Sequence, residues 1–402
     1  MKILQINCVY NSGSTGKIVY DLHNELKASG MESIVCFGRG KDPKEEKIYK
    51  VCSDIHCKIN SLWSRITGIM YGGCLISTDK LFRIIKREKP DIVHLHCLNG
   101  YFVNIYRLIT FLKNNNYKTV LTLHAEFMYT ANCGYALECD KWKTGCGKCP
   151  RLRSETKSWF IDGTAKSWKK MKRAFQGFDK NKIKIIAVSN WIKNRAEESE
   201  IFKNLEVQTI YNGIDISCFC NIDKFSAKEK LIKKYNIPKG KKIVLHITPD
   251  FNTPVKGGKY FLELMEKLDQ DYIGIVVGKN SPSTHNIVPI AYISDKTELA
   301  EIYAAADVFV ITSICDNYPT VCLEANCCGT PVVGFDVGGV KETISESMGK
   351  VVLPYNIELL KNEVEDWSKN RFSPLQIDNC LKKNSEKRMF TQYMNIYRYG
   401  IL

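Results

Sequence analysis

The stretch from Val308 to Glu342, VFVITSICDNYPTVCLEANCCGTPVVGFDVGGVKE, limits what this chain can fold into more than any other. It opens on four apolar residues, Val308 to Ile311, as expected of a strand buried on both faces of a parallel sheet. A polar loop follows. Pro319 then starts a short helix, because its fixed φ suits the first turn and its missing N–H costs nothing there. Gly329-Thr330-Pro331 ends that helix, Val332-Val333 opens a second strand, and Gly338-Gly339 turns into another helix near Glu342. The backbone N–H groups of Thr320, Val321 and Cys322 would face outward at the helix start, where the helix dipole favours an anion. Two carboxylates flank that position: Asp316 on the entering loop and Glu324 about one turn into the helix.

The same alternation runs through the rest of the chain. In the first half, strands are expected at Ile3–Ile6, Ser33–Phe37, Asp91–Leu95, Thr119–Leu123 and Ile183–Ser189, with helices at Lys17–Ser29, Lys80–Glu88 and Tyr106–Asn114. A polar segment from about Ser217 to Gly240 reads as a linker with a short helix. Strand Lys242–Ile247 then begins a second series, continuing through helix Lys259–Leu268, strand Tyr272–Val277 and a strand near Ile287–Ile293. The fold class is α/β, with parallel, doubly wound sheets. Ligands of such sheets bind beyond the carboxyl ends of the strands, so those loops hold the candidate site residues.

After the first strand, Asn11-Ser12-Gly13-Ser14-Thr15-Gly16-Lys17 opens directly into a helix. Its glycines would let backbone approach a phosphate, although a simple tight turn reads equally well, and the spacing is not that of a nucleoside-triphosphate loop. After the third strand, His94 and His96 share one strand face, followed by Asn99. That spacing suits a metal, but no acid or thiol sits nearby in sequence, and a hydrogen-bonded core histidine is the competing reading for His94. His124 closes the next strand, where a neutral imidazole could donate or accept a hydrogen bond without bringing a fixed charge. Cys133, Cys139, Cys146 and Cys149 then fall in one loop, the last pair as Cys-x-x-Cys. Four thiols are the ligand count of a structural zinc site, with free thiols as the alternative.

The Thr312–Glu342 stretch resembles the donor-site signature of the retaining, nucleotide-sugar-dependent glycosyltransferases of family 4, which have the GT-B fold. Their E-x7-E pattern is matched by Asp316 and Glu324, followed by A-x-x-x-G-T-P-V-V and D-V-G-G-V-x-E segments. The first acid is Asp in place of the usual Glu, one methylene shorter. The resemblance implies two Rossmann-like domains facing a central cleft: 1–215 on the acceptor side, 216–383 for the nucleotide sugar, and a terminal helix, 384–402, returning to the first domain. It places the ribose on Glu324, the transferred sugar near Asp316 and His124, and the diphosphate on Lys256 and the helix start. Gly16, Asn317, Tyr318, Thr320, Val321 and Ile293 complete the implied donor site, whereas Gly13, Lys17, His96 and Asn99 face the acceptor. An arginine often precedes the family lysine by a few residues, but Pro249–Asn252 holds none. The implied reaction moves a sugar from a UDP- or GDP-sugar to a glycan or lipid-linked acceptor hydroxyl, with retention and no required cofactor. The rival readings are a GT-B sugar-nucleotide epimerase or hydrolase, and a sugar- or nucleotide-binding protein weakened in catalysis.

The net charge of +15 lies wholly in the first half: residues 1–200 hold 34 Lys and Arg against 19 Asp and Glu, whereas residues 201–402 hold 24 of each. The first half therefore faces something anionic. Nucleic acid is not expected, because no binding motif and no regular interleaving of aromatic and basic residues occurs. An anionic membrane surface or a pyrophosphate-bearing acceptor fits equally well, and a generally basic solvated surface is the competing reading. Arg151 to Arg173, rich in Lys and Arg with Trp159, Phe160 and Trp168 among them, reads as a basic amphipathic helix at a membrane surface, or as a solvated face whose aromatics enter the core. MKILQINCVY reads as a first strand rather than a leader, and the cysteines, often inside apolar runs, read as reduced thiols. A cytoplasmic protein, peripheral at the inner membrane face, is expected.

Overall fold

The structure, a computed structural model, describes residues 1–345 and 347–401. The chain divides into two compact units, Met1–Ile210 with Phe390–Leu402, and Tyr211–Met389. The first holds β1 (Lys2–Val9), β2 (Glu32–Arg39), β3 (Ile48–Lys50), β4 (Ile92–Leu95), β5 (Lys118–Leu123), β6 (Ile183–Ala187) and β7 (Val207–Thr209). They form one parallel sheet in the order β3-β2-β1-β4-β5-β6-β7. The second unit holds β8 (Lys242–Asp250), β9 (Tyr272–Lys279), β10 (Ile287–Ile290), β11 (Val308–Ile311), β12 (Val332–Phe335) and β13 (Gly349–Val352). Its parallel sheet runs β10-β9-β8-β11-β12-β13. Both are doubly wound, Rossmann-like sheets.

The central strands are where the apolar runs placed them. Val308–Ile311 is buried throughout, and Val308 and Val310, with Val244, Val276, Val333 and Phe335, pack against Phe261, Leu264, Leu360 and Val364 from the flanking helices. The three strands not foreseen, β3, β7 and β13, are three or four residues long and lie at the sheet edges, where one-sided pairing needs no apolar run. The foreseen strand near Ile287–Ile293 stops at Ile290. The helix expected from Pro319 begins at Thr320, with Pro319 as its cap residue.

One helical expectation is corrected, and a helix lies where none was expected. Arg151–Arg173 is not one amphipathic helix. Only Thr164–Phe175 is helical, and Trp168 enters the core, donating its indole N–H to the Trp142 carbonyl (2.8 Å), while Trp159 and Phe160 lie in an exposed loop. Conversely, a helix spans Asp54–Thr67, capped by the Ser53 hydroxyl on the His56 N–H and ended by Gly68 at φ 67°. Most of its apolar residues point outward, so its sequence lacks the core-facing stripe from which helices are recognised. The terminal segment is helical over Glu386–Asn395 and continues as a π turn over Ile396–Gly400, with Tyr393 and Tyr397 buried; Leu402 lies outside the described residues.

Candidate active site

In the second unit the chain leaves β8 towards β9 and β10 on one side and leaves β11 towards β12 and β13 on the other. The loops after β8 and β11 thus flank the topological switch point, where an open α/β sheet has its ligand crevice. They are held together tightly. Gly257, at φ 68°, lies so close that a Cβ there would stand 1.8 Å from the Thr312 carbonyl oxygen, and the Ile314 N–H donates to the Val255 carbonyl (2.9 Å). This contact delivers Lys256 to the second loop, where its Nζ stands 2.7 Å from Asp316 Oδ2. Asp316 is in turn fixed from behind. A Cβ on Gly338 would lie 2.1 Å from its carbonyl oxygen, which accepts the Gly339 N–H at 2.8 Å. Three loops far apart in sequence, two of them turning on a glycine, therefore converge on one ion pair.

The helix Thr320–Cys327 follows directly, and no side chain caps its first turn. Of the three expected donors, the Cys322 N–H is turned into a bond to the Pro319 carbonyl (3.2 Å). Glu324 Oε2 accepts the hydroxyl of the buried Tyr303 at 2.9 Å, and the Thr320 hydroxyl also bonds this carboxylate. Burial pushes the Glu324 carboxyl above its ordinary range, and these bonds with Lys296 oppose the rise. Asn317 and Tyr318 are buried between Asp316 and the helix, with the Tyr318 ring stacked on Tyr211 (centroids 5.4 Å apart). Val321 is half-buried, and Ile293, also half-buried, lies in the connection between β10 and the helix Lys296–Ala305.

The residue that sequence reasoning missed is His246, on β8. It is buried, its Nδ1 meets the Val310 carbonyl at 3.0 Å, and its Nε2 has no partner among the described residues. Burial, with Lys256 acting in the same direction, pushes its pKa down to about 4, so it is neutral beside the ion pair. A polar residue inside the apolar strand KIVLHI was the only signal.

In the first unit, β4 pairs with β1 and β5, which places three histidines in one row. His94 is a satisfied core residue: Nδ1 meets the Tyr397 hydroxyl at 2.6 Å and Nε2 the Thr122 hydroxyl at 2.8 Å. His96 is buried, its Nδ1 lies 3.3 Å from His124 Nε2, and its own Nε2 has no partner among the described residues. Burial pushes His96 well below the usual range and His124 to about 4. Both rings are therefore neutral near pH 7. Glu126 is withdrawn from the site: fully buried, it takes Nε and Nη2 of Arg195 (3.0 and 2.9 Å), the Tyr129 hydroxyl and the Ala136 N–H.

Comparison with known proteins decides the family. The description Glycosyltransferase Family 4 matches residues 15–217, half of the chain, and Glycosyl transferases group 1 matches residues 227–388. The chain is a family 4 glycosyltransferase. An Escherichia coli (strain K12) protein named as a colanic acid biosynthesis glycosyl transferase, WcaC, is 24% identical to it, with 99% of this chain and 100% of that protein covered. Sucrose-phosphate synthase from Thermosynechococcus elongatus has a similar fold, with a TM-score of 0.69 at 17% identity, covering 99% of this chain and 98% of the other. Anabaena Alr3699/HepE, solved with UDP and glucose, gives a TM-score of 0.65 at 14% identity over 99% and 100% of the two chains. Both likenesses establish the fold, which is that of the GT-B glycosyltransferases.

Some features expected of this glycosyltransferase take other forms. The glycine loop after β1 is largely absorbed into a helix, Gly13–Ala28, so Gly16 sits in its first turn, buried against Val9, and Lys17 pairs with Asp21. Gly13, at φ 61°, stays open. Asn99 lines a cavity of about 700 Å³ with Tyr71, Tyr101 and Asn132. The four cysteines expected to staple a zinc ion come near enough to raise one another's pKa. All four thiols are free and half-buried in one loop, but among the described residues no three Cys, His, Asp or Glu side chains are grouped to hold a metal ion. Burial pushes the Cys133 and Cys146 thiols up to about 12.

Proposed function

We propose that this glycosyltransferase moves a sugar from a UDP- or GDP-sugar to a hydroxyl of a glycan or lipid-linked acceptor, with retention, in cell-surface polysaccharide biosynthesis. The observation that carries the donor reading is the Lys256–Asp316 pair at the switch point, beside an uncapped helix start and the carboxylate of Glu324. Glu324, held by Tyr303, grips the ribose hydroxyls. Lys256 and the N–H groups of Thr320 and Val321 take the charge of the departing diphosphate, a role that fixed dipoles and an ammonium fill without a divalent ion. Asp316, one methylene shorter than glutamate and paired with Lys256, positions the transferred sugar, with Asn317, Tyr318 and Ile293 around the nucleotide. In the first unit, neutral His124 hydrogen-bonds the sugar, and Gly13, Gly16, Lys17, His96 and Asn99 border donor phosphate and acceptor. The UDP and glucose with which the Anabaena protein was solved, and the colanic acid biosynthesis in the name of the Escherichia coli relative, support this donor class and product.

Among the described residues no helix is long and apolar enough to cross a membrane. The surplus of positive charge in residues 1–200 supports work in the cytoplasm, peripheral at the inner membrane face. A panel of nucleotide sugars tested by thermal shift, followed by donor turnover with and without a lipid-linked acceptor, tests the reading. Stabilisation by a nucleoside-diphosphate sugar and acceptor-dependent turnover are expected. Turnover that needs no acceptor would show a hydrolase or epimerase instead.

A further inference from the structure

The helix Asp54–Thr67 turns a row of large apolar side chains to solvent: Ile55, Ile59, Leu62, Trp63 and Ile66 are all exposed, while Cys57 and Ser64 face inward. Their spacing puts all five on one helical face. Two further segments extend that face. Trp159, Phe160 and Ile161 are exposed, Phe160 to 82%, and are tied to the helix end by the Trp159 N–H donating to the Arg65 carbonyl (2.9 Å) and by contact between Ile161 and Gly68. Leu75 and Ile76, exposed to 56% and 74%, follow a turn fixed by the Cys74 N–H on Asn60 Oδ1 (3.0 Å). Ten of the eighteen exposed large hydrophobic residues of the described chain thus gather around one helix, a concentration that scattered surface residues do not show.

Cations border the same face. Lys58 and Arg65, on this helix, line the 700 Å³ cavity together with Arg39 and Lys157. The acids nearby are claimed by other bases: Asp54 by Lys50 (2.7 Å) and Glu155 by Arg151 (3.5 Å). An apolar face with two exposed tryptophans, flanked by basic groups and a basic cavity, has the chemistry of a helix lying in the plane of an anionic bilayer surface. A second copy of the chain is a poor occupant, because it would set these cations against their own kind.

We propose that this face, centred on Ile59, Trp63 and Phe160, inserts into the surface of an anionic lipid bilayer, with Lys58, Arg65, Lys157 and Arg39 receiving lipid phosphate groups. This address rests on the membrane attachment inferred above and is independent of the donor chemistry.

Flotation of the full chain with phosphatidylcholine vesicles, with and without phosphatidylglycerol, at low and high salt, tests it. Binding to the anionic vesicles alone is expected, weakened by salt. Ile59→Ser with Phe160→Ser should reduce it by at least about tenfold, because two exposed apolar anchors are removed; Lys58→Gln with Arg65→Gln should reduce it and flatten its salt dependence. Brominated lipid should quench tryptophan fluorescence in the unaltered protein, less so in Trp159→Phe, a readout that does not depend on how the double variants fold. Salt-sensitive binding that survives the apolar substitutions, without quenching, would overturn this face while leaving membrane attachment standing. No binding to either vesicle would overturn both. A dimer in solution that Phe160→Ser dissociates would show the face to be a subunit interface instead. The donor chemistry is tested separately, as nucleotide-sugar turnover of the unaltered protein with a soluble acceptor.

Discussion

Replacing Lys256 by alanine separates what this charge does for the fold from what it does for the donor. Its ammonium stands 2.7 Å from Asp316 Oδ2, with 26% of the lysine and 13% of the aspartate side chain exposed. Solvent at that exposure screens the pair, so its loss should cost the second unit about 1 kcal/mol, below the roughly 3–5 kcal/mol of a fully buried pair. That corresponds to a fall of about 2–4 °C in Tm. The diphosphate depends on the same charge more heavily. One phosphate charge about 4 Å from an ammonium, at an effective dielectric constant of about 20, interacts by ~4 kcal/mol. With the helix start still in place, the expected loss of transfer rate lies between about tenfold and about a thousandfold. Release of nucleoside diphosphate in the presence of acceptor measures it, with thermal unfolding followed in parallel. A wild-type rate from a folded Lys256→Ala protein would refute the assignment. Adding Asp316→Asn distinguishes two explanations: if Lys256 served only to neutralise Asp316, the double variant would regain activity; if both act on the donor, it stays at or below the single variant.

Other outcomes follow from the hydrogen-bonded groups. Glu324→Ala should lower transfer at least about tenfold, or ~1.4 kcal/mol. Because burial raises the Glu324 carboxyl, its proton returns at a higher pH than on an ordinary glutamate, so donor affinity should fall on acidification before pH reaches about 4.3; a titration of binding that breaks only below that value would count against it. His124, at about 4, carries no charge near pH 7, so transfer should show no histidine step between about pH 6 and pH 8; a step there that His124→Gln removes would contradict the neutral-imidazole reading. Glu126→Gln leaves Arg195 half-buried without its carboxylate and should cost about 3 kcal/mol, read by denaturant unfolding; a change below measurement error would show the pair to be dispensable. Tyr397→Phe removes the 2.6 Å partner of buried His94 and should cost about 1–3 kcal/mol in the same measurement, with an unchanged midpoint as the contrary result.

The sheet class and the donor loops could be read from the sequence because their signals are local. Val308–Ile311 is an apolar run, Pro319 and Gly329 punctuate one helix, and Gly338-Gly339 marks a turn, each within a few residues of the structure it dictates. The edge strands Ile48–Lys50 and Val207–Thr209 carried no such run, and the Asp54–Thr67 helix reversed the usual sense by turning its apolar residues outward.

Partnerships between distant side chains are a different matter. That Lys256 meets Asp316, that Tyr397 rather than solvent or ligand holds His94, and that Arg195 takes Glu126 out of the site depend on separations of 60, 303 and 69 residues. The sequence by itself determined that parallel strands would end in loops bearing an acid pair, a lysine and three histidines, because strand and turn preferences act over a few residues. Only the tertiary structure decided which of those groups are spent on one another, because the strand order and the glycine contacts that bring loops together arise from packing across the whole unit.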